Sequence, residues 1–224
     1  MSATGIRKYP ADGYEIVRNA MVERLREHYS IRDERLLETM LRLPRHLFLP
    51  NALWPQAYKD NAVPIASGQT MSQPYIVAKM SQLLGLTGGE KVLEIGSGSG
   101  YQTAIIASLA GRVFAVERLP ELAREAKARL NSLGIHNVTI RVGDGTLGWG
   151  TYQPFDAILV AAGGPVVPEP LVLQLGVGGR MVLPIGKDLK EQHLIRVTKT
   201  ETSLVKEDFG PCSFVPLIGE HGWT

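Results

Sequence analysis

Over residues 1–89, apolar positions recur at three- and four-residue spacing, which predicts helices rather than strands. In 12–30, Ile16, Val17, Ala20, Met21 and Leu25 fall on one face. A second face, Leu36, Leu37, Met40 and Leu41, begins after Asp33 and stops at Pro44. Pro50 closes the short stretch Pro44-Arg45-His46-Leu47-Phe48-Leu49-Pro50, and 58–74 reads as a loop carrying Gly, Pro and Ser. A third helix is predicted over 74–84, with Pro74 tolerated in its first turn and Ile76, Val77, Met80, Leu83 and Leu84 facing a core.

From Glu90 the texture changes. Runs apolar on both faces predict strands over 91–95, 113–117, 137–142, 155–160 and 180–184, and helical stretches lie between them over 102–109, 120–133 and 168–175. This alternation marks a parallel sheet covered by helices. Strands over 193–199 and 203–215 are joined only by Thr200-Glu201-Thr202, so they must run antiparallel. The expected fold is α/β, a doubly wound and mostly parallel sheet with an antiparallel C-terminal strand and an N-terminal helical cap. One domain over 1–224 is expected, with the helical cap and a loop in 1–89 and the sheet core in 90–224.

Composition narrows the function. Among 224 residues, 24 Lys and Arg stand against 22 Asp and Glu, a net charge of +2 that argues against a polyanion-coating surface and hence against nucleic acid as the partner. The single cysteine, Cys212, rules out an internal disulfide or a four-cysteine zinc site, and the five His show no metal-binding spacing. Cys212 reads as an inert small residue, and Trp54, Trp149 and Phe155 as packing. No apolar run reaches the roughly 18 residues of a membrane helix, and 1–10 lacks a signal-peptide core, which makes the cytoplasm the expected compartment. The 24 glycines matter because they cluster.

Strand residues Val92-Leu93-Glu94-Ile95 run straight into Gly96-Ser97-Gly98-Ser99-Gly100-Tyr101 and a helix. A glycine-rich turn there lets a ligand approach the backbone and aims helix N–H groups at it, the arrangement of a nucleotide-type cofactor site. A tight turn without a ligand needs fewer glycines. The dinucleotide fingerprint wants a small residue where Tyr101 stands. Glu117, closing the next strand, can accept both ribose hydroxyls, although an exposed strand-end acid is the bland alternative. Asp144, flanked by Gly143 and Gly145, can accept from an exocyclic amino group while a neighbouring N–H donates to the ring, or it can simply make an Asx turn. Glu94-Ile95-Gly96-Ser97-Gly98-Ser99-Gly100 resembles motif I of class I S-adenosylmethionine-dependent methyltransferases. By that resemblance the turn lies against the methionine part of the cofactor, with S-adenosylhomocysteine as product.

The loop Asp60-Asn61-Ala62-Val63-Pro64-Ile65-Ala66-Ser67-Gly68-Gln69-Thr70-Met71-Ser72-Gln73-Pro74-Tyr75 is more distinctive. With Pro44–Pro50, the glycine turn, Val142-Gly143-Asp144-Gly145 and Phe214-Val215-Pro216-Leu217, it is similar to the protein-L-isoaspartate O-methyltransferases over 32–217. Residues before about 30 and the tail His221-Gly222-Trp223-Thr224 lie outside the family pattern, and Met71 stands where isoleucine is usual. The resemblance implies a repair enzyme that methylates the free α-carboxyl of isoaspartyl residues in damaged peptides and proteins, giving an ester that cyclises to a succinimide. It implies Ser72 as the active-site residue, although a serine there could instead cap the helix after it. Thr70 and Gln73 would touch cofactor or substrate. Tyr58 and Asp60 are candidates to line the peptide cleft, with an exposed loop aromatic and acid as the alternative. By the resemblance, the segment around Val215 returns to hold peptide backbone. A monomer is expected. Rival readings are another class I methyltransferase acting on a small molecule or tRNA, an NAD(P)-dependent oxidoreductase, which would need a catalytic Tyr/Lys or His pair that is not evident, and a cofactor-free scaffold.

Overall fold

The computed structural model describes residues 12–223. Its elements, in chain order, begin with helices α1 (Glu15–Glu27) and α2 (Glu34–Arg42), followed by 3-10 turns at Arg45–Phe48 and Asn51–Gln56. A two-stranded hairpin, β1 (Val63–Pro64) with β2 (Thr70–Met71), leads into α3 (Pro74–Leu84). The core then alternates: β3 (Lys91–Ile95), α4 (Tyr101–Leu109), β4 (Arg112–Glu117), α5 (Pro120–Ser132), β5 (Val138–Val142), β6 (Phe155–Val160), α6 (Glu169–Gln174), β7 (Leu175–Gly186), β8 (Gln192–Lys199) and β9 (Leu204–Cys212).

Seven strands form one sheet in the order β5-β4-β3-β6-β7-β8-β9. From β5 to β7 all pairings are parallel, and β8 pairs antiparallel with both β7 and β9. The expected antiparallel feature is therefore β8, the strand that runs against the others, while β9 points the same way as the parallel set. After β3 the chain winds outward through β4 and β5, then crosses to β6 on the other side of β3. Ligands of such sheets bind outside the carboxyl ends of the strands where the winding reverses, which here lies between β3 and β6.

The side chains of β3 alternate across the sheet. Val92 joins a core built with α1 to α5, and Leu93 and Ile95 join a second core with Phe114, Phe155, Leu171 and Leu183. Phe155 is fully buried, and Trp149 meets Phe114 edge to face, so both pack as expected. Cys212 is half-buried, and burial pushes its thiol up to about 11, which suits an inert residue.

Helix α1 corrects the sequence reading. It is shorter than 12–30, and Ile16 and Val17 face outward, at 85% and 47% exposure. The inward face is Arg18, Met21, Val22 and Leu25. Arg18 buries because its guanidinium finds Tyr58 Oη at 3.3 Å, the Arg42 carbonyl at 3.4 Å and the Asp12 carboxylate. Strand β7 starts earlier than 180–184, at Leu175, across a register shift against β6. The strand expected over 203–215 stops at Cys212, and Phe214–Leu217 leaves the sheet. No described helix is long and apolar enough to cross a membrane.

Candidate functional site

The glycine turn sits where the winding reverses. Gly98 and Gly100 take φ of 51° and 90°, conformations that strain a side chain. Gly100 also packs against α5, since a Cβ there would lie 3.2 Å from that of Ala126. Thus Gly96, Ser97 and Gly98 line the cleft, whereas Gly100 shapes the turn from behind. Gly145 lines the cleft from the end of β5 and lies too close to Ile95 for any side chain.

Glu117, only 6% exposed at the end of β4, is held by two backbone donors. The Gly98 N–H donates to its Oε2 at 2.8 Å and the Leu119 N–H to its Oε1 at 3.0 Å. Each oxygen keeps a lone pair for a ligand hydroxyl. Glu94 differs. It is fully buried under the turn, its carboxylate oxygens have no hydrogen-bond partner among the described residues, and it does not line the cleft. Burial pushes it up to about 8; the Thr103 hydroxyl, close by but not in a well-formed hydrogen bond, opposes this, and the Glu117 carboxylate adds to it.

Asp144 also departs from expectation. Its Oδ1 accepts from the N–H and hydroxyl of Thr146, and its Oδ2 from the Glu220 N–H at 2.8 Å. Burial works against the charge, yet these donors hold the carboxyl below its usual range. The carboxylate is thus the anchor of the C-terminal tail and stands outside the cleft lining. The tail is fixed a second time by Trp223, whose indole N–H donates to the Gly163 carbonyl at 2.8 Å.

Ser72 sits between β2 and α3 at the meeting of two cavities. The larger, about 910 Å³ with its open mouth, runs from the Thr70–Ser72 segment over the glycine turn to Glu117 and Gly145. The smaller, about 350 Å³, lies toward Ala62, Gln73, Ile76 and Ser213. Thr70, Ser72, Ala161, Phe214 and Val215 border both. Ser72 does not cap α3: that helix has no side-chain cap at its N-cap residue Gln73, and the free Tyr75 N–H donates to Asp60 Oδ1 at 3.1 Å. Ser72 Oγ makes no hydrogen bond to another described residue, so the hydroxyl is free for a ligand.

Tyr58 and Asp60 are turned inward, away from both cavities. Tyr58 Oη bonds His46 Nδ1 at 2.8 Å, and burial pushes the phenol up to about 12. Asp60 accepts from the Tyr29 hydroxyl as well as from Tyr75. Both serve packing of the cap, because their polar atoms are satisfied there.

Val215 lines the cleft through a stitched return. Buried Gln192 clasps both backbone groups of Phe214, the Gly163 N–H donates to the Val215 carbonyl at 2.8 Å, and the Leu217 N–H donates to the Gly163 carbonyl at 2.8 Å. Sequence reasoning missed Ala161 and Ala162, which form the cleft wall after β6, and Arg118 and Leu119 after β4. Their position just past the carboxyl ends of parallel strands was the signal.

The donor set fits a nucleoside-bearing cofactor: open backbone at Gly96–Gly98, a buried diol acceptor at Glu117, and apolar walls from Leu119, Leu122 and Ile218. The family model for protein-L-isoaspartate(D-aspartate) O-methyltransferase matches residues 16–222. The chain is 51% identical over 211 residues to the protein-L-isoaspartate O-methyltransferase of Geobacter metallireducens, covering 94% of this chain and 97% of that one. It is 49% identical over 218 residues to that of Dictyoglomus thermophilum, covering 97% and 98%. A solved protein-L-isoaspartate O-methyltransferase superposes with a TM-score of 0.81 at 30% identity, over 92% of this chain and 67% of that one. A Plasmodium falciparum structure, described as such an enzyme in complex with S-adenosyl-L-homocysteine, superposes with a TM-score of 0.78 at 26% identity, over 90% and 98%. Cleft, glycine turn and sequence agree, and the chain belongs to the protein-L-isoaspartate(D-aspartate) O-methyltransferase family.

Proposed function

We propose that the two cavities meeting at Ser72 are the cofactor and acceptor sides of one methyl-transfer site. There the chain moves the methyl group of S-adenosylmethionine to the free α-carboxyl of an L-isoaspartyl residue, leaving S-adenosylhomocysteine and a methyl ester that closes to a succinimide. The observation that carries this is the free Ser72 hydroxyl on the border of both cavities.

The chemistry asks little proton transfer of the protein. A carboxylate with an ordinary pKa near 4 is already ionised at neutral pH, so one of its oxygens can attack without a general base. Bound S-adenosylmethionine supplies a methyl carbon made electrophilic by its sulfonium. The work left to the chain is alignment and exclusion of water. Ser72 Oγ donates to the acceptor carboxylate and orients it, and Thr70 and Gln73 flank it. The Gly96–Gly98 backbone faces the amino-acid end of the cofactor, Glu117 accepts the ribose hydroxyls and Gly145 abuts the base. Val215, fixed by Gly163, offers its backbone edge to the peptide. Glu94 and Gly100 support the turn from beneath, and Asp144 acts by holding the tail.

The same reading takes a polypeptide acceptor rather than tRNA, supported by the near-balanced charge of +2. It takes one domain over 1–224, acting as a monomer in the cytoplasm. Incubation with labelled S-adenosylmethionine and an isoaspartyl peptide should give base-labile label, and the matching aspartyl peptide should give none. Equal labelling of both peptides, or of neither, defeats the reading.

A further inference from the structure

Arg45 is among the largest fully buried side chains, 0% exposed, and it has no carboxylate partner among the described residues. Its Nε donates to the Ala57 carbonyl at 2.7 Å and its Nη2 to the Ser72 carbonyl at 2.6 Å. The guanidinium also lies over the ring of Tyr101, 4.6 Å from the centroid, while Nη1 makes no hydrogen bond. Burying an unpaired cation is expensive, and apolar residues of similar volume usually stabilise a core better. Burial accordingly lowers the Arg45 pKa, with the nearby Tyr101 hydroxyl opposing it. A residue so unfavourable for packing marks a geometric task. Its three contacts describe one: Ala57 and Ser72 bracket the acceptor loop, and Tyr101 is the first residue of α4, directly after the glycine turn.

Resting on the role given to Ser72 above, we infer that Arg45 is a positioning residue that fixes Ser72 against the cofactor turn. The planar fork spans two carbonyls that would otherwise be free to rotate. Holding the Ser72 carbonyl sets the backbone torsion that aims its hydroxyl, and stacking on Tyr101 ties that aim to the start of α4. Arg45 touches neither cavity, so it acts on the reaction only through these neighbours.

The test is a double-mutant cycle on the full chain, reading kcat and KM for an isoaspartyl peptide together with S-adenosylhomocysteine affinity. Arg45→Met should lower kcat about 10- to 100-fold, the range a misplacement near 1 Å produces, with affinity changed less than about threefold. Arg45→Lys, which keeps the charge but can reach only one of the two carbonyls and does not stack as a plane on Tyr101, should recover only part of that loss. In a Ser72→Ala background the Arg45→Met penalty should shrink to about threefold or less, because the group it aims is gone. Should Arg45→Met fail to fold, Arg45→Lys carries the same cycle with a smaller penalty. Undiminished loss in the Ser72→Ala background, wild-type kcat in the Arg45 variants, or a parallel loss of cofactor affinity would each overturn the proposal. Wild-type kcat in Ser72→Ala alone would instead remove the role of Ser72, a separate outcome from these.

Discussion

The Tyr75 N–H, one of the unpaired donors of the first turn of α3, is satisfied by Asp60 Oδ1 at 3.1 Å across the hairpin, not by the serine three residues before it. Asp60 thus does the capping and leaves the Ser72 hydroxyl free. Asp60→Ala should cost about 1–2 kcal/mol of stability, the usual loss for a helix cap. Denaturant unfolding reads it, and an unchanged midpoint would mean the cap is made otherwise.

Ser72→Ala should reduce kcat for an isoaspartyl peptide by about 10- to 100-fold, because a preorganised donor on the reacting carboxylate is lost. Calorimetric affinity for S-adenosylhomocysteine should stay within about twofold. A large loss of affinity would make Ser72 a cofactor ligand instead.

Tyr58→Phe separates packing from binding. It removes the bonds to His46 and Arg18 and should lower stability by about 1–2 kcal/mol while leaving KM for the peptide unchanged. A raised KM with unaltered stability would return Tyr58 to the acceptor side.

Glu94 should make the cofactor-free protein less stable as pH rises. Its folded pKa of about 8 lies above the ordinary 4.5, so between those values the folded state holds a proton that the unfolded state has released. Stability then falls by about 1.4 kcal/mol per pH unit across that window and levels off above it. The melting-temperature advantage of Glu94→Gln over the parent should therefore grow from pH 5 to pH 8. A constant difference across that range would show that Glu94 is solvated or paired in solution.

Trp223→Ala removes the bond from the indole to Gly163 beside the wall formed by Leu217 and Ile218. A net hydrogen bond of about 1 kcal/mol corresponds to about fivefold weaker S-adenosylhomocysteine binding. Titration calorimetry decides it, and unaltered affinity would make the tail irrelevant to the cofactor side.

What could be read from the sequence was local. Helix α3 matches its expected bounds because Pro74 opens it and Gly85, with φ of 60°, closes it. The strands β3 and β6 were legible from runs apolar on both faces, and the glycine turn from its own residues. What the sequence hides is which side chains are taken up by distant partners. Arg18 turned the face of α1 because its acceptors lie on Tyr58 and Arg42. Asp144 reads as a base-binding acid from its flanking glycines, and nothing near it in sequence announces that the Glu220 N–H also donates to it. Tyr58 and Asp60 sat beside a functional loop, and proximity along the chain was mistaken for direction of the side chain. Arg45 stands inside a short motif, and a cation without a nearby acid gives no pairing pattern to follow.

The return of Phe214–Leu217 to Gly163 has a consequence for how the enzyme comes into being. The cleft is bordered at one end by Ser72, from the early part of the chain, and at the other by residues that leave the ribosome after the whole sheet. A nascent chain can therefore assemble the glycine turn well before it owns a closed acceptor side. Trimming beyond β9 should yield a protein that still folds its sheet yet lacks the wall that Val215, Leu217 and Ile218 give the cleft.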